Sequence, residues 1–136
     1  MIKFVLGIIF LATATTATSQ NSVYEFKNDY RPKYGNTLTI DKFSELQVNS
    51  DVVVLDVRLE EDFKKDPNLI PGAEYKNPEL LPQWISELDK TKEVVVYCVA
   101  GKWVSQKIAF LLDQNGINVR SLEGGFEAWK AQQGKE

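Results

Sequence analysis

Two continuous runs of apolar, mostly β-branched residues stand out in the sequence. They are Val-Val-Val-Leu at residues 52–55 and Val-Val-Val-Tyr at residues 94–97. Apolar runs without polar alternation are typical of strands that are buried on both faces of a parallel sheet. Shorter segments at residues 38–40 and 117–122 predict two further strands. The pattern therefore indicates a sheet whose strands are mainly parallel.

The segments between these strands have the spacing of helices. Leu81, Trp84, Ile85 and Leu88 recur at intervals of three and four residues, which places them on one helix face. Strands that alternate with helices form βαβ units, so the predicted fold class is α/β, with a central mainly parallel sheet between two helix layers. The expected helices cover residues 41–47, 81–88, 104–112 and 126–133, the third of them closed by Asn115-Gly116 as a C-terminal cap.

The first 19 residues are organised differently from the rest. Lys3 precedes an apolar run at residues 4–11, and small and hydroxylated residues follow to residue 19, as in a secretory signal peptide. The apolar run is shorter than the roughly 20 residues that a spanning helix needs. We expect cleavage before Gln20, with an earlier site at Ala14 as the alternative; an anchor that is not cleaved is the other interpretation.

The predicted organisation is thus a signal peptide at residues 1–19, an extended lead-in at 20–37 that packs on the domain, and one domain at 38–133. The protein is expected to be exported, to the periplasm or the medium, with no stable membrane insertion after cleavage.

Composition agrees with one globular domain and limits its partners. The chain has 136 residues, of which 43% are hydrophobic and 26% charged, as in an ordinary soluble protein. The formal net charge of -3 argues against nucleic acid as the main partner, because phosphate binding needs a basic surface.

The sequence holds one cysteine, Cys98, and no histidine. The lack of histidine excludes Ser-His and Cys-His catalytic arrangements and most zinc sites, and we expect neither a metal nor a cofactor. An exported domain normally uses its cysteines in disulfides, yet Cys98 has no partner in its own chain. It is therefore a buried inert thiol, an intermolecular bridge or a reactive group.

Cys98 closes the strand at 94–97 and leads directly into a helix. In open α/β sheets, ligands bind beyond the carboxyl ends of the strands. A loop that enters a helix can direct its N–H groups and the positive end of the helix dipole at one point, which favours an anion. Gly101 permits a positive φ there and Lys102 adds a positive charge. These features would stabilise a thiolate without a histidine, while the structural alternative is an ordinary buried cysteine.

The motifs around this loop resemble those of the single-domain rhodaneses. Cys-Val-Ala-Gly-Lys at residues 98–102, followed by Ser105, is similar to the family's active-site loop. Leu-Asp-Val-Arg at 55–58 resembles an upstream family element, and Ile-Pro-Gly-Ala at 70–73 resembles a second. Gly-Gly-Phe-Glu-Ala-Trp at 124–129 resembles the terminal Gly-Gly-x-x-Ala-Trp. The four elements occur in the family's order.

The resemblance implies a rhodanese-like three-layer fold and a sulfurtransferase of the thiosulfate sulfurtransferase type. In such an enzyme Cys98 would carry sulfane sulfur as a persulfide, from thiosulfate or a persulfide donor to a thiol or cyanide acceptor. A non-catalytic binding or sulfur-carrier module is the alternative, since rhodanese-like folds also serve as interaction domains. The implied substrate-binding residues are Val99, Ala100, Gly101, Lys102, Trp103, Val104 and Ser105, with Asp56 and Arg58 supporting the site.

Two loop positions depart from the family pattern. Trp103 and Val104 stand where arginine, serine or threonine is common, so Ser105 becomes the main source of side-chain hydrogen bonds to a persulfide. The change favours a donor bulkier than thiosulfate. Val104 also excludes a cysteine-dependent phosphatase or arsenate reductase, which needs arginine six positions after its cysteine.

Overall fold

A sheet of five parallel strands runs through residues 25–135, the part of the chain that the computed structural model describes. The strands are β1 (Thr37–Leu38), β2 (Val53–Asp56), β3 (Ala73–Tyr75), β4 (Val94–Tyr97) and β5 (Val119–Leu122). Their spatial order is β1-β5-β4-β2-β3, which places β4 in the centre. The predicted parallel sheet is confirmed.

Helices cover both faces of this sheet, as the alternating pattern predicts. Successive side chains of β4 point to opposite faces, so Val94 and Val96 join one core cluster while Val95 and Tyr97 join the other. The helices are α1 (Ile40–Asn49), α2 (Glu60–Lys65), α3 (Leu81–Trp84), α4 (Trp103–Gln114) and α5 (Gly125–Gln133), with single 3₁₀ turns at Pro78–Leu80 and Ile85–Glu87.

Each face has its own helix pair. Phe43 of α1 and Phe126 of α5 pack with the β4 residues of one cluster. Trp84 of α3 and Ile108 of α4 pack with the other. Within residues 25–135, no helix has the length and apolar character needed to cross a membrane.

Several elements differ from the sequence-based expectation, and strand β3 was not predicted. The strand expected at 38–40 covers Thr37–Leu38, because the Thr39 side chain accepts a hydrogen bond from the Lys42 N–H and so caps α1. The helix expected at 81–88 is a single α-turn between 3₁₀ turns, in which apolar residues recur at the same intervals. Helix α2 was not expected; it buries none of its residues and has acidic residues in its first turn and lysines in its last.

The lead-in packs on the domain along α4. Phe26 is 2% exposed and belongs to the core cluster beneath this helix. The buried Lys107 donates to the Phe26 carbonyl oxygen at 2.8 Å and contacts the Asn28 side chain. Further along, the Tyr34 hydroxyl donates to the Val119 carbonyl at 2.8 Å. Residues 25–36 therefore form part of the folded unit.

Candidate active site

Cys98 lies between the central strand β4 and the first turn of α4, at the base of an open cleft of about 180 Å³. The side chain is buried, with 4% exposed, and no other cysteine is present to pair with it. A small reagent can reach the sulfur from one side. The cleft is lined by Arg58, Leu59, Asp62, Cys98, Val99, Ala100, Lys102, Trp103 and Val104.

Hydrogen bonds from α5 determine how the loop peptides face. The Cys98 carbonyl accepts from the Phe126 N–H at 2.8 Å, and the Val99 carbonyl accepts from the Glu127 N–H at 3.0 Å. In a trans peptide the C=O and the following N–H point in opposite directions. The N–H groups of Val99 and Ala100 therefore point away from α5, to the side of the loop that lines the cleft.

The backbone N–H groups of Val99 to Lys102 have no hydrogen-bond acceptor among residues 25–135. Unpaired N–H groups around one point bind an anion, and the first turn of the twelve-residue helix α4 adds its positive dipole end. The loop thus presents hydrogen-bond donors to negative charge on the Cys98 sulfur or on a bound donor.

Glycines allow the loop to pack directly on the turn before α5. A Cβ on Gly125 would lie 2.4 Å from the Cys98 carbonyl oxygen, and a Cβ on Gly101 would lie 2.7 Å from the Gly124 nitrogen. All three glycines have positive φ. Side chains at these positions would push the loop away from α5, because both approaches are shorter than any Cβ contact.

Two buried serines extend from the sulfur into the core. Cys98 Sγ lies 3.2 Å from Ser105 Oγ, which in turn lies 3.0 Å from Ser121 Oγ. Ser105 is 0% exposed and Ser121 is 1% exposed. The sulfur therefore has a hydroxyl neighbour on its buried side as well as backbone donors on its open side.

Asp56 and Arg58 form a buried ion pair beside the cleft. Arg58 Nη2 lies 2.7 Å from Asp56 Oδ2, and both side chains are at most 2% exposed. The guanidinium also donates to the carbonyl oxygens of Asp66 and Asn68, at 2.8 and 2.9 Å, and lies over the Phe126 ring. Together with the Nε–H bond to Asp56, these contacts hold the 66–68 loop against the site and occupy four of the five guanidinium N–H groups. Arg58 consequently lines the cleft and fixes the neighbouring loop by hydrogen bonds.

The Lys102 side chain is exposed at the cleft and has no carboxylate partner within residues 25–135. Its ammonium group is therefore available to bind an anion in the cleft. Asp62 is the acidic residue of the lining, and its carboxylate lies 3.9 Å from Lys65.

Trp103 forms the outer wall of the cleft and is held from behind by the lead-in. Its indole stacks on Phe26 with ring centroids 5.4 Å apart, and the Arg31 guanidinium lies 4.0 Å from the ring centroid. Gln106 makes a second link, since it accepts from the Tyr34 N–H and donates to the Gly101 carbonyl. The lead-in thus contacts both the wall and the loop.

The structure brings most of the predicted site residues to the cleft. Gly101 and Ser105 are not in its lining: Gly101 packs on the Gly124–Gly125 turn and Ser105 lies behind the sulfur. Asp56 lies beneath Arg58. The residues that sequence reasoning missed are Leu59, Asp62, Phe26, Arg31 and Ser121.

For Ser121 a signal was available. It follows Val119 by two positions and so shares the inward face of β5, where a polar residue is unexpected.

Among residues 25–135, no group of histidine, cysteine, aspartate and glutamate side chains could hold a metal ion.

Known proteins resemble this chain in both sequence and structure. The rhodanese-like domain profile matches residues 39–132. Thiosulfate sulfurtransferase GlpE of Coxiella burnetii is 34% identical over 87 residues, which cover 64% of this chain and 79% of that protein. A sulfurtransferase of Allochromatium vinosum is 34% identical over 79 residues, covering 58% and 72%. The crystal structure of a rhodanese-like domain protein from Staphylococcus aureus superimposes with a TM-score of 0.62 at 27% identity, covering 70% of this chain and 91% of that one.

Proposed function

This chain belongs to the rhodanese-like domain family, and on that basis we propose that it is a sulfurtransferase that carries sulfane sulfur on Cys98. The observation that carries the proposal is the position of the sulfur: Cys98 Sγ lies at an open cleft, next to loop N–H groups that have no acceptor within residues 25–135. A donor-rich loop of this kind suits a persulfide anion.

In the proposed reaction the Cys98 thiolate attacks the outer sulfur of thiosulfate or of an organic persulfide. A new S–S bond forms at Cys98, and the old S–S bond breaks with its electron pair on the leaving sulfite or thiolate. An acceptor thiolate or cyanide then attacks the outer sulfur of the Cys98 persulfide. The Cys98 thiolate leaves, and no external oxidant or reductant is consumed.

Named residues have distinct parts in this scheme. The N–H groups of Val99 and Ala100 and the Lys102 ammonium stabilise negative charge on the donor and on the outer sulfur. The Ser105 hydroxyl, 3.2 Å from Sγ, donates to the thiolate. The Asp56–Arg58 pair keeps the opposite wall in place.

Mass spectrometry of the intact protein tests this proposal. Incubation with thiosulfate or an organic persulfide should add one sulfur atom, about 32 Da, that a thiol reductant removes. Cys98→Ser should gain no mass and lose sulfur transfer, with folding free energy changed by about 1–2 kcal/mol or less. A Cys98→Ser variant that still transfers sulfur would refute the role of Cys98. Wild type that gains no mass with either donor would favour a non-catalytic binding module.

The lining also supports a proposal about the donor. Leu59, Trp103 and Val104 give the cleft apolar walls, and the guanidinium of Arg58 is already hydrogen-bonded. Thiosulfate, a small dianion, gains little from such walls, whereas the organic part of a persulfide can pack on them. We therefore propose an organic persulfide as the better donor.

We further propose that the protein acts outside the cytoplasm. The support is the signal-peptide pattern of residues 1–19, which lie outside the described residues. Cleavage before Gln20 would leave the packed lead-in from Phe26 intact. The N-terminal sequence of protein recovered after expression in a bacterium with an intact export pathway tests this, and a chain that retains Met1 and stays in the cytoplasm would refute it.

A further inference from the structure

We propose that Ser121 is a positioning residue for the nucleophile: through Ser105 it directs a hydroxyl proton at the Cys98 sulfur when that sulfur is a thiolate. The inference rests on the proposed role of Cys98, but it concerns the reactivity of the sulfur alone. It can therefore be tested without a sulfur donor.

Ser121 occupies a place in the fold where an apolar residue is expected. It lies in β5 opposite Val96 of the central strand, and it shares the inward face of β5 with Val119. Both valines belong to the apolar cluster under α4. A hydroxyl in such surroundings costs free energy unless it is hydrogen-bonded. Within residues 25–135, Ser105 Oγ is the one partner that the Ser121 hydroxyl has.

The chain of contacts can satisfy both protonation states of the sulfur. As a thiol, Cys98 donates to Ser105 Oγ, which also accepts from the Ser121 hydroxyl. As a thiolate, the sulfur only accepts, so Ser105 donates to it and accepts from Ser121. Each serine has one proton and two lone pairs, which both arrangements respect. When Cys98 loses its proton to solvent, the Ser105 hydroxyl rotates towards the sulfur and the hydrogen bond from Ser121 stays in place.

Ser121 supports Ser105 from the side opposite the sulfur. Ser105 Oγ accepts from the Ser121 hydroxyl at 3.0 Å, so its own proton is available for Cys98 Sγ, 3.2 Å away, when that sulfur is a thiolate. A hydrogen bond accepted by a hydroxyl polarises its O–H group and strengthens the bond that it donates. Without Ser121, Ser105 would lose this support and bind the thiolate more weakly.

Alkylation of Cys98 by iodoacetamide measures the effect. The readout is the rate at pH 6.5 divided by the rate at pH 9, which responds to thiolate stabilisation and cancels changes in access. One hydrogen bond to a charged group corresponds to roughly a tenfold change, so Ser105→Ala should lower this ratio about tenfold and Ser121→Ala about threefold. Ser121→Thr keeps the hydroxyl at a strand position that tolerates β-branching, and its ratio should stay within about twofold of wild type. Ser44→Ala, which removes an exposed hydroxyl of α1, is the matched control and should change nothing.

The double variant makes the test sharp. If Ser121 acts only through Ser105, then adding Ser121→Ala to Ser105→Ala should lower the ratio no further. An equal loss in both backgrounds would mean that Ser121 acts through general packing, and the inference would be overturned. A Ser121→Thr variant as impaired as Ser121→Ala would overturn it too. The outcome is independent of the sulfur-transfer proposal, because alkylation requires no donor and persulfide formation is measured separately.

Discussion

At the scale of single residues, the site joins a nucleophile to backbone N–H groups and to Lys102, the cation of the cleft lining that has no carboxylate partner among the described residues. Cys98 has N–H groups on its open side and a serine on its buried side. Arg58, the other cation of the cleft lining, is held by Asp56 and by two carbonyl oxygens. Charge selection by the cleft therefore depends on Lys102.

Replacing Lys102 tests this assignment. We expect Lys102→Ala to raise the KM for thiosulfate about tenfold, since a charge-assisted contact to a dianion is lost. The KM for an organic persulfide without other anionic groups should rise about twofold. Steady-state kinetics with both donors measure the difference, and Lys42→Ala, an exposed lysine of α1, serves as the control. An equal rise for both donors would leave Lys102 with no part in charge selection.

Replacing Trp103 tests the donor preference. Trp103→Arg exchanges an apolar wall for a guanidinium, so the ratio of kcat/KM for thiosulfate to that for an organic persulfide should rise by about tenfold. Competition between the two donors in one reaction gives this ratio directly. A ratio that does not move would show that the indole only packs against Phe26 and Arg31.

At the scale of elements, the site is a junction of β4, α4 and α5 that the lead-in holds from outside. The loop after β4 accepts two backbone hydrogen bonds from α5, and glycines allow the two backbone segments to pack closely. Phe26 and Gln106 connect the lead-in to the cleft wall and to the loop. The lead-in therefore contributes to stability as well as to the shape of the site.

A truncation of Phe26 measures that contribution. Phe26→Ala removes a 2% exposed ring from the cluster under α4 and should cost about 3–5 kcal/mol of unfolding free energy. Tyr30→Ala is the control: Tyr30 lies in the same segment, is 56% exposed and contacts the Phe110 ring edge-on, so its removal should cost about 1 kcal/mol or less. Urea unfolding of both variants decides. Equal small losses would show that the lead-in is dispensable for stability.

The sequence predicted the elements whose signals are local. The valine runs of β2 and β4 are apolar throughout because both strands are covered on both faces, and Asn115-Gly116 closes α4 with Gly116 at positive φ. Helix α2 buries no residue, so it has no apolar stripe to detect. The 81–88 segment has helical spacing but forms separate short turns, since repetition alone does not distinguish one helix from successive turns.

Apart from Asp56 and Arg58, which the family resemblance implied, the site was predictable where its residues are adjacent in the chain. Cys98 to Ser105 form one loop and helix start, so the sequence places them together. Ser121 contacts Ser105 behind the sulfur because β5 pairs with β4, and Phe26 contacts Trp103 because the lead-in packs along α4. Contacts across such distances in sequence depend on register and packing, which apolar periodicity does not specify.

At the scale of the whole molecule, three tyrosines near the site, of which Tyr97 is buried and Tyr34 and Tyr75 are half-buried, couple folding to alkaline pH. Burial, and secondarily the Asp56 carboxylate, raise the pKa of Tyr75 to about 12. The same two causes raise the pKa of Tyr97, and burial followed by Asp113 raises that of Tyr34. Tyrosines in the unfolded chain ionise near pH 10. The stability that these residues contribute is therefore fully present below about pH 10 and is lost as the pH rises towards their folded-state values.

We expect the unfolding free energy to fall steeply above pH 10. Lys107 has the opposite effect on the unfolding free energy, at lower pH. Burial, and secondarily the Arg31 charge, lower its pKa, so the unfolding free energy rises as the pH passes the folded-state pKa of this lysine. Urea unfolding at pH 8, 9, 10 and 11 gives the profile. Tyr75→Phe removes one of the three groups, and its curve should fall less between pH 10 and 11 than that of wild type. Parallel curves would show that Tyr75 is not coupled to folding.

If Cys98 carries sulfur as we propose, its depth in the cleft determines which partners can react with the loaded and with the empty protein. The thiol is 4% exposed, whereas a transferred sulfur would extend about 2 Å beyond Sγ, towards the mouth of the cleft. A bulky thiol that cannot reach the Cys98 thiol of the empty protein would then still reach the outer sulfur of the Cys98 persulfide and accept it. The experiment measures the rates at which a protein thiol and a small thiol react with the loaded and with the empty protein. Equal discrimination between the two thiols by both forms would contradict this expectation. Steric shielding would in that case give the protein a direction: it would load from small molecules, deliver to large ones, and form few dead-end mixed disulfides in between.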